Sequence, residues 1–321
     1  MTASAAARHC FTWCRHLTMP DCDPWPRLSA VVVAHDSAAV IADCLSALTR
    51  AARVIIVDNA SLDETADAVA RTLPTASLIR NRANVGFGRA CNQALAQIAT
   101  EFVLIVNPDA VIEPGAVEEL VAAADRYPRA AMIGPRITTP AGTVEFGRRP
   151  VLADRHEGPD GLPPPDGDCC IDYVAGAVML LRMSAIAETG GFDPAIFLYC
   201  EDDDLCLRLR RAGWSLIVAP SASARHISGG SSPASPALDR LRFWHLAWSR
   251  AYMEGKHRGA AAGRRFGLIR LALYGLKAVL YAMTFQTAKR RRDGARFAGT
   301  LAYLRGEPAL ATTGFDDRVA R

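Results

Sequence analysis

No G-x-G-x-x-G follows a strand in this sequence, and no glycine-rich loop ends in Gly-Lys-Ser/Thr, so the dinucleotide fingerprint and the P-loop are both missing. Nor is there a nucleophile-elbow sequence, which argues against a Ser/His/Asp hydrolase triad. The nine cysteines are odd in number and lack metal-site spacing. Cys44, Cys91, Cys200 and Cys206 fall within or beside expected elements, as buried reduced thiols do, and this points to the cytosol. Charge of one sign is scarce as well: a formal net of +4 over 321 residues is too little to imply a nucleic-acid partner. There is no internal repeat, and residues 1–27 contain no apolar segment of secretory type. They do contain His9, Cys10, Cys14, His16 and Cys22, in a spacing that matches no familiar zinc site. Ended by Pro24-Trp25-Pro26, they read as a poorly ordered extension.

What is present is a globular composition, 50% hydrophobic and 22% charged, long enough for one large domain with appendages. Residues 28–34 form a valine-rich apolar run, the pattern of a buried parallel strand. Asp36 or Ser37 can cap a helix running to about Arg50, and residues 54–57 make a second strand. Ser61-Leu62-Asp63-Glu64 opens a second helix by a capping signal. Strands over 77–80 and 102–106 then alternate with helices over 88–99 and 114–127, which predicts a parallel sheet with helices on both faces. Ligands of such sheets bind beyond the carboxyl ends of the strands, where Asp58 and Asp109 stand. After Ala130 the rhythm changes. Short strands over 132–137 and 143–146 flank Pro140-Ala141-Gly142, and a long loop covers 154–168. A strand over 173–181, a helix near 184–189, the turn Gly190-Gly191-Phe192-Asp193 and a last buried strand over 216–219 complete the pattern.

Chemistry concentrates at a few points. Glu201-Asp202-Asp203-Asp204 interrupts apolar sequence, and so much charge must be solvated, bound to a cation or used as a base. At a helix N-terminus a carboxylate is favoured in its ionised form. The plain alternative is an acidic run on a solvated helix face. Asp58-Asn59 pairs an acceptor carboxylate with an amide, which suits the imide edge of a pyrimidine, or else merely shapes a turn and caps the next helix. Asn81, Asn84, Gly86, Gly88 and Asn92 form a loop and helix start at which a ligand could approach the backbone closely. Asn107 and Asp109 offer hard oxygen ligands for Mg²⁺ or Mn²⁺, which take few protein ligands plus substrate phosphates. The alternative there is a proline turn. His226, beside Ile227-Ser228-Gly229-Gly230-Ser231-Ser232, suits phosphate oxygens or is a structural histidine.

In order, these strings resemble glycosyltransferase family 2 in its rhamnosyltransferase-like branch. They are Val31-Val32-Val33-Ala34-His35-Asp36-Ser37, Val57-Asp58-Asn59-Ala60-Ser61, Asn84-Val85-Gly86-Phe87-Gly88, Asn107-Pro108-Asp109, Gly176-Ala177, Gly190-Gly191-Phe192-Asp193, Phe197-Leu198-Tyr199-Cys200-Glu201-Asp202-x-Asp204-Leu205 and His226-x-x-Gly229-Gly230-Ser231. The resemblance covers about residues 28–260. It implies an α/β architecture, a GT-A-type nucleotide-binding sheet flanked by helices; beyond it, 261–321 reads by its own pattern as a C-terminal helical extension, a basic amphipathic tail. It also implies inverting transfer of one sugar from a nucleotide-sugar donor, dTDP-rhamnose first and a UDP-sugar next. The acceptor would be a glycan or lipid-linked molecule in cell-surface polysaccharide synthesis. Asp58, Asn59, Asn84, Gly86 and Asn107 would line the nucleotide pocket, Asp109 and His226 would hold the metal, and Asp202 would be the base with Glu201 supporting it. Asn107 stands where the family's DxD motif has its first Asp. No Q-x-x-R-W string follows the acidic run, which disfavours a processive synthase. A sugar nucleotidyltransferase would need a basic glycine-rich loop where His35-Asp36-Ser37 stands. A non-catalytic nucleotide-sugar binder or a membrane-surface adaptor would leave the acidic sites idle.

Residues 264–296 contain nine basic side chains (Arg264, Arg265, Arg270, Lys277, Lys289, Arg290, Arg291, Arg292, Arg296) against one acid, Asp293. Helical spacing puts Arg270, Tyr274, Lys277, Tyr281 and Thr284 on one face and Leu273, Leu276, Val279, Leu280 and Met283 largely opposite. Charges at 270 and 277 argue against a spanning helix. The expectation is an interfacial helix whose basic face meets an anionic inner leaflet, so that the enzyme is cytoplasmic and peripheral at the inner membrane surface. The alternative cover for this helix is the catalytic domain or a homodimer partner.

Overall fold

A computed structural model describes residues 23–145, 150–152, 166–227 and 235–309. The cysteines and histidines of 1–22, Phe146, positions 154–165 of the expected loop and the run 228–232 lie outside the described residues.

Strands β1 (Leu28–Ala34), β2 (Arg53–Asp58) and β4 (Phe102–Val106) are the continuous apolar runs of the sequence. Successive strand residues point to opposite faces, so each run feeds two cores. Leu28, Ala30, Val32 and Ile56 pack with α1 (Ile41–Ser46), α2 (Thr65–Thr72) and α4 (Ala116–Arg126). Val31, Val33, Ile55 and Val57 pack with α3 (Phe87–Leu95), α5 (Met183–Thr189) and α6 (Glu201–Arg211). Burial on both faces is why these strands show no polar alternation. The capping signal before α2 works through Asp63, whose Oδ1 accepts from Thr65 N at 3.0 Å and whose Oδ2 accepts from Ala38 N at 2.9 Å. Ser61 Oγ instead accepts from Asp36 N, also at 3.0 Å.

With β3 (Ser77–Arg80), β5 (Ala110–Ile112), β6 (Ala130–Thr138), β9 (Val178–Arg182) and β10 (Ser215–His226), the sheet runs β3-β2-β1-β4-β9-β6-β10-β5. It is mixed where a parallel sheet was expected. β9 is antiparallel to both β4 and β6, and β5 is antiparallel to the end of β10. Parallel neighbours need a crossover connection, usually a helix. After β6 the described chain has only the short pairs β7 (Val144–Glu145) and β8 (Cys169–Cys170), so it returns reversed. β9 begins at Val178 rather than at Tyr173, and β10 continues past Ala219, through a register irregularity before Ser223, as far as His226.

α7 (Pro236–Arg258), α8 (Ala260–Met283) and α9 (Thr287–Leu304) pack together after the sheet. Ser235 Oγ caps α7 by accepting from Leu238 N at 3.1 Å, and Gly259, with φ of 97°, separates α7 from α8. The side of α8 that packs is its glycine side. A Cβ on Gly267 would stand 2.8 Å from the Leu304 side chain, and one on Gly275 would stand 3.3 Å from Phe297. Tyr274 and Tyr281 share that side, under the Arg296 guanidinium (5.9 Å) and the Lys289 ammonium (5.7 Å). The apolar side faces out, with Leu276, Val279 and Met283 exposed by 69%, 59% and 73%. Of the expected basic face, Lys277 and Thr284 are exposed as well, while Tyr274 and Tyr281 are partly covered by α9. α8 is also long and apolar enough, by length and composition, to cross a membrane.

Candidate active site

The site forms beyond the carboxyl ends of β1, β2 and β4. Asp58 closes β2 beside Ala34 of β1 and Arg80 of β3. It is buried, its Oδ1 accepts from Ser61 N at 2.9 Å, and Arg80 Nε lies 3.4 Å from Oδ2. Asn59 spends its amide on the loop: Oδ1 accepts from Asn81 Nδ2 and Val85 N, both at 3.0 Å, and Nδ2 donates to Asn84 Oδ1 at 2.8 Å. Asn84 Oδ1 also accepts from Gly86 N at 3.0 Å. Asn59 and Asn84 thus shape the wall beside Asp58. Gly86 has φ of 88°, and a Cβ there would come within 2.5 Å of the Phe197 carbonyl oxygen. Only glycine allows that approach, which seats the amide loop on the segment leading to the acidic run.

Asn107 and Asp109 follow β4. Asn107 N donates to Ala177 O at 2.8 Å. Asp109 is buried, and the β5–β10 pairing sets Ala110 opposite His226, so that His226 Nε2 stands 3.3 Å from Asp109 Oδ1. Cys44 Sγ donates to Asn107 O at 3.4 Å. Burial, with the Asp109 charge adding to it, pushes the Cys44 thiol up to about 12. No group of three His, Cys, Asp or Glu side chains suited to a metal occurs among the described residues. Asp109 and His226, both N/O donors and about one octahedral edge apart, fit a Mg²⁺ or Mn²⁺ ion that draws its other ligands from a diphosphate.

The acidic run opens α6, and its four carboxylates part company. Asp203 Oδ1 accepts from Val151 N at 2.8 Å, Asp204 is fully buried among cations, and Glu201 is buried beside α3. Asp202 alone is left half-buried. Its Oδ2 accepts from the Tyr173 hydroxyl and from Gly176 N (3.1 Å), and its Oδ1 from Asp203 N (2.9 Å). A Cβ on Gly176 would stand 3.2 Å from Asp202 Oδ2, which accounts for the glycine of Gly176-Ala177. Ala177 holds Asn107 while Gly176 holds Asp202, so two adjacent residues join the Asp109 turn to the acidic helix. Tyr173 and Arg80 were not foreseen as site residues, and no sequence signal marks either.

Comparison with known proteins gives these groups a context. The family described as Glycosyl transferase family 2 matches residues 29–184. The N-acetylglucosaminyl-diphospho-decaprenol L-rhamnosyltransferase of Mycobacterium tuberculosis is 30% identical over 265 residues, covering 71% of this chain and 86% of that protein. Rhamnosyltransferase WbbL of Escherichia coli K12 is 37% identical over 89 residues, 28% of this chain and 33% of its own. Among solved structures, mannosyltransferase PcManGT of Pyrobaculum calidifontis, in complex with GDP-Man and Mn²⁺, superposes with a TM-score of 0.51 at 16% identity, covering 87% of both chains. GalNAc-T7 with UDP, GalNAc and Mn²⁺ gives 0.53 at 13% identity, over 69% of this chain and 47% of that one. Matched along most of a relative at 30% identity and built on the same sheet as solved transferases, the chain belongs to glycosyl transferase family 2 and is a glycosyltransferase of GT-A-type fold.

Proposed function

We propose that this enzyme is an inverting transferase that adds one sugar to a lipid-linked glycan acceptor in cell-surface polysaccharide assembly. The favoured donor is dTDP-rhamnose, with a UDP-sugar next. The observation that carries the reading is Asp202, set at the N-terminus of α6 with Oδ2 fixed by Tyr173 and Gly176 and linked through Ala177 to the Asp109 turn. Asp202 accepts the proton of the acceptor hydroxyl as that oxygen attacks the anomeric carbon, and the bond to the nucleoside diphosphate breaks on the opposite face. Glu201, buried behind it against α3, supports Asp202 in that role. Asp58 takes the nucleobase edge, in the pocket shaped by Asn59, Asn84, Gly86 and Asn107. Asp109 and His226 would hold Mg²⁺ or Mn²⁺, which would supply positive charge to the departing diphosphate. The rhamnosyltransferase relatives support rhamnose as the sugar, and the diphospho-decaprenol in one name supports a lipid-linked acceptor.

The same acceptor class gives the outward apolar face of α8 a partner, the anionic lipid of the inner membrane surface. Lys277 on α8 and Lys289, Arg290, Arg291 and Arg292 at the start of α9 supply complementary charge. α8 lies in the interface rather than crossing it, because α9 packs along it and would carry those cations into hydrocarbon.

A thermal-shift panel of UDP, dTDP, GDP, ADP and CDP, with and without Mg²⁺ or Mn²⁺, tests the donor site. A ligand at about 100 times its Kd adds about 2.7 kcal/mol of stability. Metal-dependent stabilisation by dTDP supports the favoured donor, and a response to UDP alone moves the assignment to a UDP-sugar. Silence toward all five and toward the intact sugar nucleotides overturns the reading.

A further inference from the structure

The turn that presents Asp202 has an unfavourable backbone shape. Tyr199 and Cys200, immediately before α6, have left-handed φ values of 65° and 70°. That region is unfavourable for a residue with a side chain, so the surroundings must hold it there. Much of what holds it comes from α7. Ahead of the turn, Ser249 Oγ donates to Leu198 O at 3.0 Å, and the Phe197 ring packs on the His245 ring with centroids 4.7 Å apart. Beyond it, buried Asp204 receives Lys256 Nζ at 2.6 Å and His257 Nε2 at 2.7 Å, besides Arg208 Nε of its own helix at 2.7 Å.

The grip extends to a motif the reaction leaves unused, Gly190-Gly191-Phe192-Asp193. Lys256 Nζ reaches Asp193 Oδ2 at 2.5 Å, and Tyr252 donates to the same oxygen at 2.9 Å. Arg208 donates to the carbonyls of Thr189 and Gly191, at 2.9 and 2.5 Å. Arg211 NH1 lies 2.9 Å from His257 Nδ1. An arginine only donates, so Nδ1 is the acceptor and the His257 ring donates through Nε2–H to Asp204. Buried ion pairs of this kind are poor sources of net stability, because desolvation offsets their attraction. Their use here is geometric.

We infer that Ser249, Lys256 and His257 of α7 are positioning residues for the base: they grip the chain on both sides of the Tyr199-Cys200 turn and so fix where Asp202 meets the acceptor hydroxyl. This rests on the reading of Asp202 as base. It makes the C-terminal helices part of the catalytic apparatus, through contacts made within the protein.

The test compares full-length Ser249→Ala, His257→Leu, His257→Gln and Asp202→Asn enzymes, with dTDP-rhamnose as donor and N-acetylglucosaminyl-diphospho-decaprenol as acceptor. Ser249→Ala and His257→Leu are expected to lower kcat about 10- to 100-fold, the cost of displacing a reacting group by a fraction of an ångström to an ångström. Donor KM and the Kd for dTDP with Mn²⁺ should stay within about twofold, because the nucleotide pocket is untouched. His257→Gln keeps a donor to Asp204 and should recover most of the rate. Unchanged kcat in both variants, or a loss of kcat matched by lost dTDP binding, overturns the inference. Turnover by Asp202→Asn sinks the base itself, whereas an inactive Asp202→Asn beside wild-type kcat in the α7 variants sinks only the positioning role. Hydrogen exchange supplies a readout independent of any substrate. Faster exchange of amides 198–204 in Ser249→Ala supports the grip, and unchanged exchange refutes it.

Discussion

In the sheet, Val31, Val32, Ile55, Ile56 and Leu104 are sealed from solvent, whereas in α8 the exposed side chains include Leu268, Leu276, Val279, Leu280 and Met283 and the buried positions are Gly263 and Gly267. Both regions are apolar, but hydrophobicity means different things in them. In the strands it marks what the protein packs against itself. In α8 the glycines do that, by letting α9 approach closely, and the large side chains stay uncovered among the described residues. The two regions should therefore fail separately when mutated.

The sharpest separation comes from Asp202→Asn. It should cut transfer by about 10²- to 10⁴-fold, the usual worth of a general base, while binding of dTDP and of vesicles stays intact. Retained turnover would remove Asp202 from the mechanism. The mirror experiment is Leu276→Ser with Leu280→Ser. At roughly 2 kcal/mol for each side chain taken out of lipid, co-sedimentation with phosphatidylglycerol vesicles should weaken about a thousandfold, with the thermal midpoint unmoved. Equal binding by the double variant would mean that α8 does not meet the bilayer.

His245 probes the seam between the regions, since it belongs to α7 and packs on Phe197 of the turn before α6. Burial lowers its pKa to about 4, so the folded protein holds it neutral while an unfolded chain would protonate it near 6.5. Its contribution is fully present above pH 6.5 and is lost as pH falls from 6.5 toward 4, on the order of 3 kcal/mol in all. Urea midpoints at pH 7 and 4.5 should diverge less in His245→Leu than in the wild type, and equal divergence would defeat the assignment. The smallest effect is expected from Gly86→Ala, which should cost at least about 1 kcal/mol because the residue has positive φ and faces the Phe197 carbonyl. A neutral result in chemical denaturation would show that the loop can move off that segment.

How much of this was legible varied with how local its cause was. β1, β2 and β4 were readable because burial on both faces writes itself as an unbroken apolar run. β5 was not, since three residues carry no period and their only reason to be a strand is the far end of β10. That same pairing delivers His226 to Asp109. Sequence could name both residues but not their meeting. The acidic run offered four carboxylates of one chemistry, and they were told apart by partners at Val151, Tyr173, Gly176, Lys256 and His257, all distant in sequence. Asn59 and Asn84 looked like ligand-facing amides, yet they bond each other, a distinction residue type does not encode.

The reversed strand β9 decides from which side the chain enters the site. Because it runs against β4, its entrance rather than its exit opens beside the Asp109 turn. Asp58 and Asp109 are carried on strand exits, while Tyr173 and Gly176 arrive on the incoming chain before β9. The proposed site thus draws on two segments that enter it from opposite strand ends. Exchanging residues 166–175 for those of another transferase should re-tailor the ground around Asp202, through Tyr173, and leave the proposed nucleobase wall at Asp58 as it is.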